Sequence, residues 1–100
     1  MSNYEKGRRF EYRVRDFFRE HGFLVIRAAQ SKPIDLVCLK DGKSILVECK
    51  TNRKALGKQG REELLKMAES SQAILVFAYK EKHKIKLLNV KTNNPYLMSY

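Results

Sequence analysis

Asp41-Gly42 constrains this chain more than any other feature, because it stands between two largely apolar runs, 34–40 and 43–51. A two-residue Asp-Gly loop needs positive φ at both positions and joins antiparallel strands without splaying them. The register then follows on paper. Lys40 pairs with Lys43, and each step down one strand is a step up the other, so Asp35 falls opposite Glu48. Directly opposed residues share a sheet face, with Cβ atoms about 4.5–5.5 Å apart. Lys50, two residues past Glu48, returns to that face.

Like charges set opposite each other destabilise a sheet. A divalent cation removes the repulsion, since a hard ion takes carboxylate oxygens as ligands. The alternative is an ordinary solvent-facing Glu48–Lys50 ion pair. Against it, Ile45-Leu46-Val47 is apolar on both faces, as in a central strand, and the charges stand at its end.

The remaining pattern predicts one domain over 1–100 with the order α-β-β-β-α-β-β. Residues 2–21 read as a helix, opened by a Ser2/Glu5 capping box and closed at His21-Gly22. Phe10, Val14, Phe17 and Phe18 recur at helical spacing on its buried side. Residues 23–28 form a short strand, and 30–33 a polar connection. Residues 54–60 form a basic loop loosened by Gly57 and Gly60. A second helix spans 60–71, with Leu64, Leu65 and Ala68 on its apolar side. Strands follow at 73–79 and 84–90 around a Lys-Glu-Lys-His turn, and the tail 92–100 is irregular. The second helix crosses over between the third and fourth strands, which makes those two parallel. The expected architecture is α/β, a mixed five-stranded sheet with flanking helices.

Lys plus Arg number 21 against 11 Asp plus Glu, a net charge of +10 on 100 residues. Such a balance favours a polyanionic partner. No stretch approaches the ~20 apolar residues of a membrane span. Cys38 and Cys49 lie in apolar runs with no C-x-x-C pair, which reads as reduced core cysteines of a cytoplasmic protein and not as a zinc site. No convincing nucleophilic triad is present.

Glu11 adds a third carboxylate. It flanks the buried stripe three residues before Val14 and seven before Phe18, so it can face the sheet, although a solvated helix glutamate fits as well. Gly7 lies one turn earlier, where a missing side chain lets a phosphate approach the backbone.

Gly7-x-x-x-Glu11, Ser31-x-x-x-Asp35 and Glu48-Cys49-Lys50, taken in order, resemble the PD-(D/E)xK nuclease superfamily. Within it, His21-Gly22-Phe23, Arg27 and Ser31-Lys32-Pro33-Ile34-Asp35-Leu36-Val37 are most similar to the archaeal-type Holliday junction resolvases. The resemblance covers 6 to about 50 well and the remainder only in element order. It implies a restriction-endonuclease-like core that hydrolyses phosphodiesters at four-way junctions with Mg²⁺, for which Mn²⁺ substitutes, and no small-molecule cofactor. It also implies roles. Asp35 and Glu48 would ligate the metal beside the Cys49 carbonyl, and Glu11 would complete the carboxylate shell. Lys50 would orient the attacking water or stabilise charge on the phosphorane. Ser31 would touch the scissile phosphate and Arg27 would hold the backbone, with Gln59 in support. Other nucleases of the superfamily and a non-catalytic basic module are the alternatives.

The expected partner is branched double-stranded DNA. Its candidate contacts are Arg8, Arg9 and Arg13 on the first helix, Arg27, Ser31 and Lys32 beside Asp35, and Arg53, Lys54, Lys58 and Arg61 after Lys50. Such contacts read backbone charge and shape. Two symmetric cuts require two copies of a site that a chain of this length holds once, so a homodimer is expected. Leu88, Val90, Tyr96, Leu97, Met98 and Tyr100 are the candidate surface. The alternative for the tail is that it folds back over one end of the sheet.

Overall fold

Helix α1 (Asn3–Glu20) begins and ends where its side chains dictate in the computed structural model, which describes residues 2–28 and 33–98. The Ser2 hydroxyl accepts from the Glu5 amide at 3.2 Å and donates to the Glu5 carboxylate at the same distance. At the other end Gly22 has φ 86°. Its amide donates to the Arg19 carbonyl, and the Phe23 amide donates to that of Phe18. This paired closure satisfies carbonyls the helix leaves open. It also brings the Phe18 and Phe23 rings together edge to face at 5.3 Å. Lys40 reinforces the end by donating to the His21 carbonyl at 2.7 Å, a cation placed at the negative pole of the helix.

Strands β1 (Leu24–Arg27), β2 (Leu36–Lys40) and β3 (Lys43–Lys50) follow. A 3-10 turn over Arg53–Ala55 leads to α2 (Lys58–Ser70), then to β4 (Ile74–Glu81), β5 (Lys84–Asn89) and β6 (Asn94–Pro95). All six strands join one sheet in chain order, antiparallel except for the parallel β3–β4 pair. The fold class is as expected, but among the described residues the sheet has six strands and not five. The extra strand arises where Asn94 and Pro95 pair with Asn89 and Leu88, and the Tyr96 amide donates to the Leu87 carbonyl.

The β2–β3 hairpin has the expected register from Lys40↔Lys43 to Leu36↔Val47. Asp41 and Gly42 both have positive φ, 50° and 76°, as the tight turn demands. The ladder stops one pair short of Asp35, which lies outside β2. Asp35 and Glu48 are therefore not a ladder pair, a correction with a local cause. Ile34 packs on the face opposite to Leu36, so alternation is broken as the chain leaves Pro33.

Side chains of β3 and β4 alternate between two cores. Phe10, Val14 and Phe18 of α1 cover Leu36, Cys38, Ile45, Val47, Val76 and Ala78. On the other face Leu64 and Ala68 of α2 cover Leu46, Leu75, Phe77 and Tyr79. Phe17, assigned to the buried stripe from its spacing, is only half-buried and stacks on His21 at 4.5 Å. Burying one such apolar side chain contributes about 1.5–3 kcal/mol relative to leaving it in water, and these two layers hold the hairpin's end in place.

Two further expectations are corrected. Gly60 does not loosen a loop, because α2 starts at Lys58 with Gly57 as its N-cap. The apolar tail is mostly absorbed by its own fold. Val90 is buried, Leu88 packs on the α2 side, and Tyr96 and Met98 pack on the α1 side. Burial pushes the Tyr96 hydroxyl pKa up. Leu97 alone of the named tail residues that are described stays exposed. Tyr100 lies outside the described residues.

Candidate functional site

The charged end of the β2–β3 hairpin opens into a cavity of about 680 Å³. Glu11 and Gly7 reach it from α1, Arg27 from the end of β1, Asp35 from the approach to β2, and Cys49 and Lys50 from the end of β3. These residues meet because α1 lies across the strands that carry the others, with Phe10 and Val14 anchoring the turns that flank Glu11.

Asp35 is 3 % exposed, the one buried charged side chain among the described residues. Its Oδ2 accepts from the Cys49 amide at 2.7 Å. Its carbonyl accepts from the Ala28 amide at 2.9 Å, tying the end of β1 to the same spot. Asp35 is thus held through its carboxylate by β3 and through its own backbone by the residue that follows β1. Glu48 lies on the α2 side and lines an adjoining cleft of about 250 Å³ with Pro33, Gly57 and Glu63. Lys50 lines both spaces, and its Nζ stands 3.6 Å from Glu48 Oε2. The site straddles the end of β3, with Asp35 and Glu11 on one side, Glu48 on the other and Lys50 shared.

Arg27 Nε donates to Glu11 Oε1 at 3.0 Å, while its guanidinium lies 4.8 Å from the centre of the Tyr12 ring. Arg15 stacks on Tyr12 as well, at 4.5 Å. Arg8 lines the cavity, and Arg9, Arg53, Lys54, Lys58 and Arg61 are exposed. Arg53 lies 5.9 Å from the Tyr79 ring, and Arg13 Nη2 donates to the His83 carbonyl at 2.8 Å. Gln59 Nε2 is 3.5 Å from Glu63 Oε1, on α2. The expectations for Ser31 and Lys32 lie outside the described residues. Cys38 and Cys49 are not joined to each other in a disulfide. No helix among the described residues is long and apolar enough to cross a membrane.

Among the described residues no three His, Cys, Asp or Glu side chains gather into a complete metal cage. Glu11, Asp35 and Glu48 are not one preformed cluster, and Glu11 is engaged by Arg27. The donor chemistry still suits Mg²⁺, which takes one or two carboxylates and completes its octahedron with water and substrate phosphate.

The sequence model of the archaeal Holliday junction resolvase (Hjc) family matches residues 2–98. The chain belongs to that family. It is 36% identical over 69 residues to the protein named crossover junction endodeoxyribonuclease Hjc of Methanocaldococcus jannaschii, a match covering 66% of this chain and 52% of that one. The chain therefore spans about half the length of this curated relative. The structure of Archaeoglobus fulgidus Hjc, titled a Holliday junction resolvase from an archaeal hyperthermophile, is similar with a TM-score of 0.72 at 25% identity. That match covers 86% of this chain and 74% of the other.

Two aromatic residues near the cavity were not singled out by the sequence pattern. The Tyr12 ring lies against the Arg27 guanidinium, and Tyr4 lines the cavity. A signal for both existed in the spacing. Tyr4–Arg8 and Tyr12–Arg15 are four and three residues apart, the separations at which helical neighbours stack.

Proposed function

We propose that this member of the archaeal Holliday junction resolvase family is a Mg²⁺-dependent endodeoxyribonuclease that cuts branched double-stranded DNA as a homodimer in the cytoplasm. The observation that carries the reading is the meeting of Asp35, Lys50, Glu11 and Arg27 around one open cavity with Glu48 beside Lys50. Asp35 and Glu48, with the Cys49 carbonyl and water, would hold the ion. When bound, it would lower the pKa of a water and offset charge on the phosphate oxygens.

The side chains divide the remaining work. Hydrolysis joins a water oxygen to phosphorus as the bond to one sugar oxygen breaks, and a proton of the water ends on that leaving oxygen as its hydroxyl. Lys50 Nζ stands beside Glu48 and can hold that water or meet the charge that builds on phosphorus. Arg27 offers a planar donor pair to a neighbouring phosphate oxygen. Doing so would exchange Glu11 for the phosphate and leave its carboxylate available beside the residues that would hold the ion. Arg8 extends the same cationic wall, and the exposed Arg53, Lys54, Lys58 and Arg61 continue it past Lys50.

Incubating a labelled four-way junction, a nicked duplex and a linear duplex with the protein and Mg²⁺ or Mn²⁺ tests this reading. The expected result is paired cuts in the junction that EDTA abolishes. Cutting of all three substrates alike points to a less selective nuclease of the superfamily. Binding without cutting points to a non-catalytic module.

A further inference from the structure

Tyr4 is the one aromatic side chain among the prominently exposed large apolar residues of the described chain, at 61 % exposure. It does not stand at a random place. It lines the same cavity as Asp35, Lys50 and Arg8, on the wall formed by the first turn of α1. The ring is held there. Arg8 Nη2 donates to its hydroxyl at 3.0 Å, and the Arg8 guanidinium carbon lies 5.1 Å from the ring centre. Beside it, an added Cβ on Gly7 meets no heavy atom within 4 Å, so the space next to the ring is open.

The Tyr4 hydroxyl accepts from Arg8 and keeps its own O–H for a phosphate, but phosphates line every duplex alike and such a contact cannot discriminate between substrates. What remains is a π surface, and its match in DNA is a nucleobase face. Within a continuous duplex both faces of each base are covered by its neighbours. Only a branch point, a nick or an end presents a base face to a ring standing in a groove. Stacking energy is then collected only where the helix is interrupted, and the contact discriminates between substrates instead of adding uniform affinity.

We infer that Tyr4 is a specificity-determining residue that stacks on the base pair exposed at the branch point while Arg8 fixes its ring. The inference rests on the junction-cutting reading and adds the group that senses the interruption.

The test compares wild type, Tyr4→Phe and Tyr4→Leu for affinity to a four-way junction and to a linear duplex of the same sequence, in EDTA. Wild type is expected to prefer the junction. Tyr4→Leu should lower the junction-to-duplex affinity ratio about 5- to 160-fold, the range carried by one lost base–aromatic stack. Tyr4→Phe should keep the ratio, since the ring suffices. A 2-aminopurine at the branch point should be darker in the wild-type complex than in the Tyr4→Leu complex. A ratio unchanged in Tyr4→Leu, or lost equally in Tyr4→Phe, overturns the stacking role and leaves the junction reading standing. A wild-type protein without junction preference overturns that reading and this inference together.

Discussion

The Cys49 amide donates to Asp35 Oδ2 at 2.7 Å, so the most buried carboxylate of the chain is tied to the backbone between Glu48 and Lys50. Position and charge at Asp35 can therefore be separated by substitution. Asparagine keeps an acceptor for the amide and removes the charge. Asp35→Asn and Glu48→Gln are both expected to fold and to bind DNA, with cutting lowered by about 100- to 1000-fold, the scale of losing one group that stabilises developing charge. Asp35→Ala should in addition lose about 1–3 kcal/mol of stability, because the buried amide is left without an acceptor. Cleavage assays beside gel shifts and urea melts read all three. Full activity in either isosteric variant removes Asp35 or Glu48 from the site.

If the protein binds DNA as proposed, the cationic surface sets the salt dependence of that binding. Each phosphate neutralised contributes about 0.9 to the slope of log affinity against log salt. Lys54 and Lys58 are exposed, one in the 3-10 turn and one at the start of α2. Lys54→Ala with Lys58→Ala should flatten the slope by one to two contacts, roughly 0.9–1.8. An unchanged slope in a salt titration means that this segment faces away from the DNA.

Much of this site was legible because a single turn governs it. Asp41-Gly42 admits one hairpin geometry, and that geometry carries the register up to Leu36↔Val47 without help from the rest of the fold. The next pair fails for a local reason. Pro33 and Ile34 interrupt alternation, and Asp35 turns to the Cys49 amide, a tertiary bond that no periodicity encodes. Glu11 was legible as facing the sheet, but its pairing with Arg27 joins residues sixteen apart through the packing of α1 on β1. The tail was misjudged for a similar reason. Counting apolar residues cannot say whether Tyr96 and Met98 close their own core or a partner's, and β6 has two residues, too few to carry a pattern.

The β4–β5 turn stores strain that can be removed. Lys82 and His83 hold φ of 49° and 66°, where a Cβ crowds the backbone and glycine does not. Arg13 donates to the His83 carbonyl there, a bond that deleting the imidazole leaves in place. His83→Gly should raise stability by about 0.5–1 kcal/mol, a rise of roughly 2–8 °C in Tm for a domain of this size. A lower Tm in thermal denaturation means the imidazole has a structural role that outweighs the strain.

Cys38 gives a pH signature. Burial pushes its thiol from 9.0 up to about 12. Above pH 9 the unfolded chain releases this proton while the folded chain keeps it, so rising pH favours unfolding. The contribution is intact below pH 9 and declines steadily between 9 and 12. The stability difference between wild type and Cys38→Ala should therefore narrow over that window in pH-resolved urea melts. A constant difference means the folded thiol ionises as easily as the unfolded one.

Leu97 is 83 % exposed although Tyr96 and Met98 on either side of it pack against the core. The backbone that bends its neighbours inward holds this leucine out, and nothing in the described chain covers it. A resolvase that makes two symmetric cuts needs a second copy, and a twofold interface is built from surface of this kind, the same patch on both partners. Light scattering at micromolar concentration should give a dimer. Leu97→Asp should shift it toward monomer, and paired cuts in a junction should give way to single ones, while the Tm of the fold stays near that of wild type. Met98→Asp is the wrong probe, since Met98 serves the core and its loss confounds unfolding with dissociation. If Leu97→Asp remains dimeric, the interface lies elsewhere, and the other exposed apolar pair, Leu24 and Ile26 on the edge strand β1, is tested next by the same assay. A wild-type chain that stays monomeric both free and on DNA overturns the paired-cut reading itself.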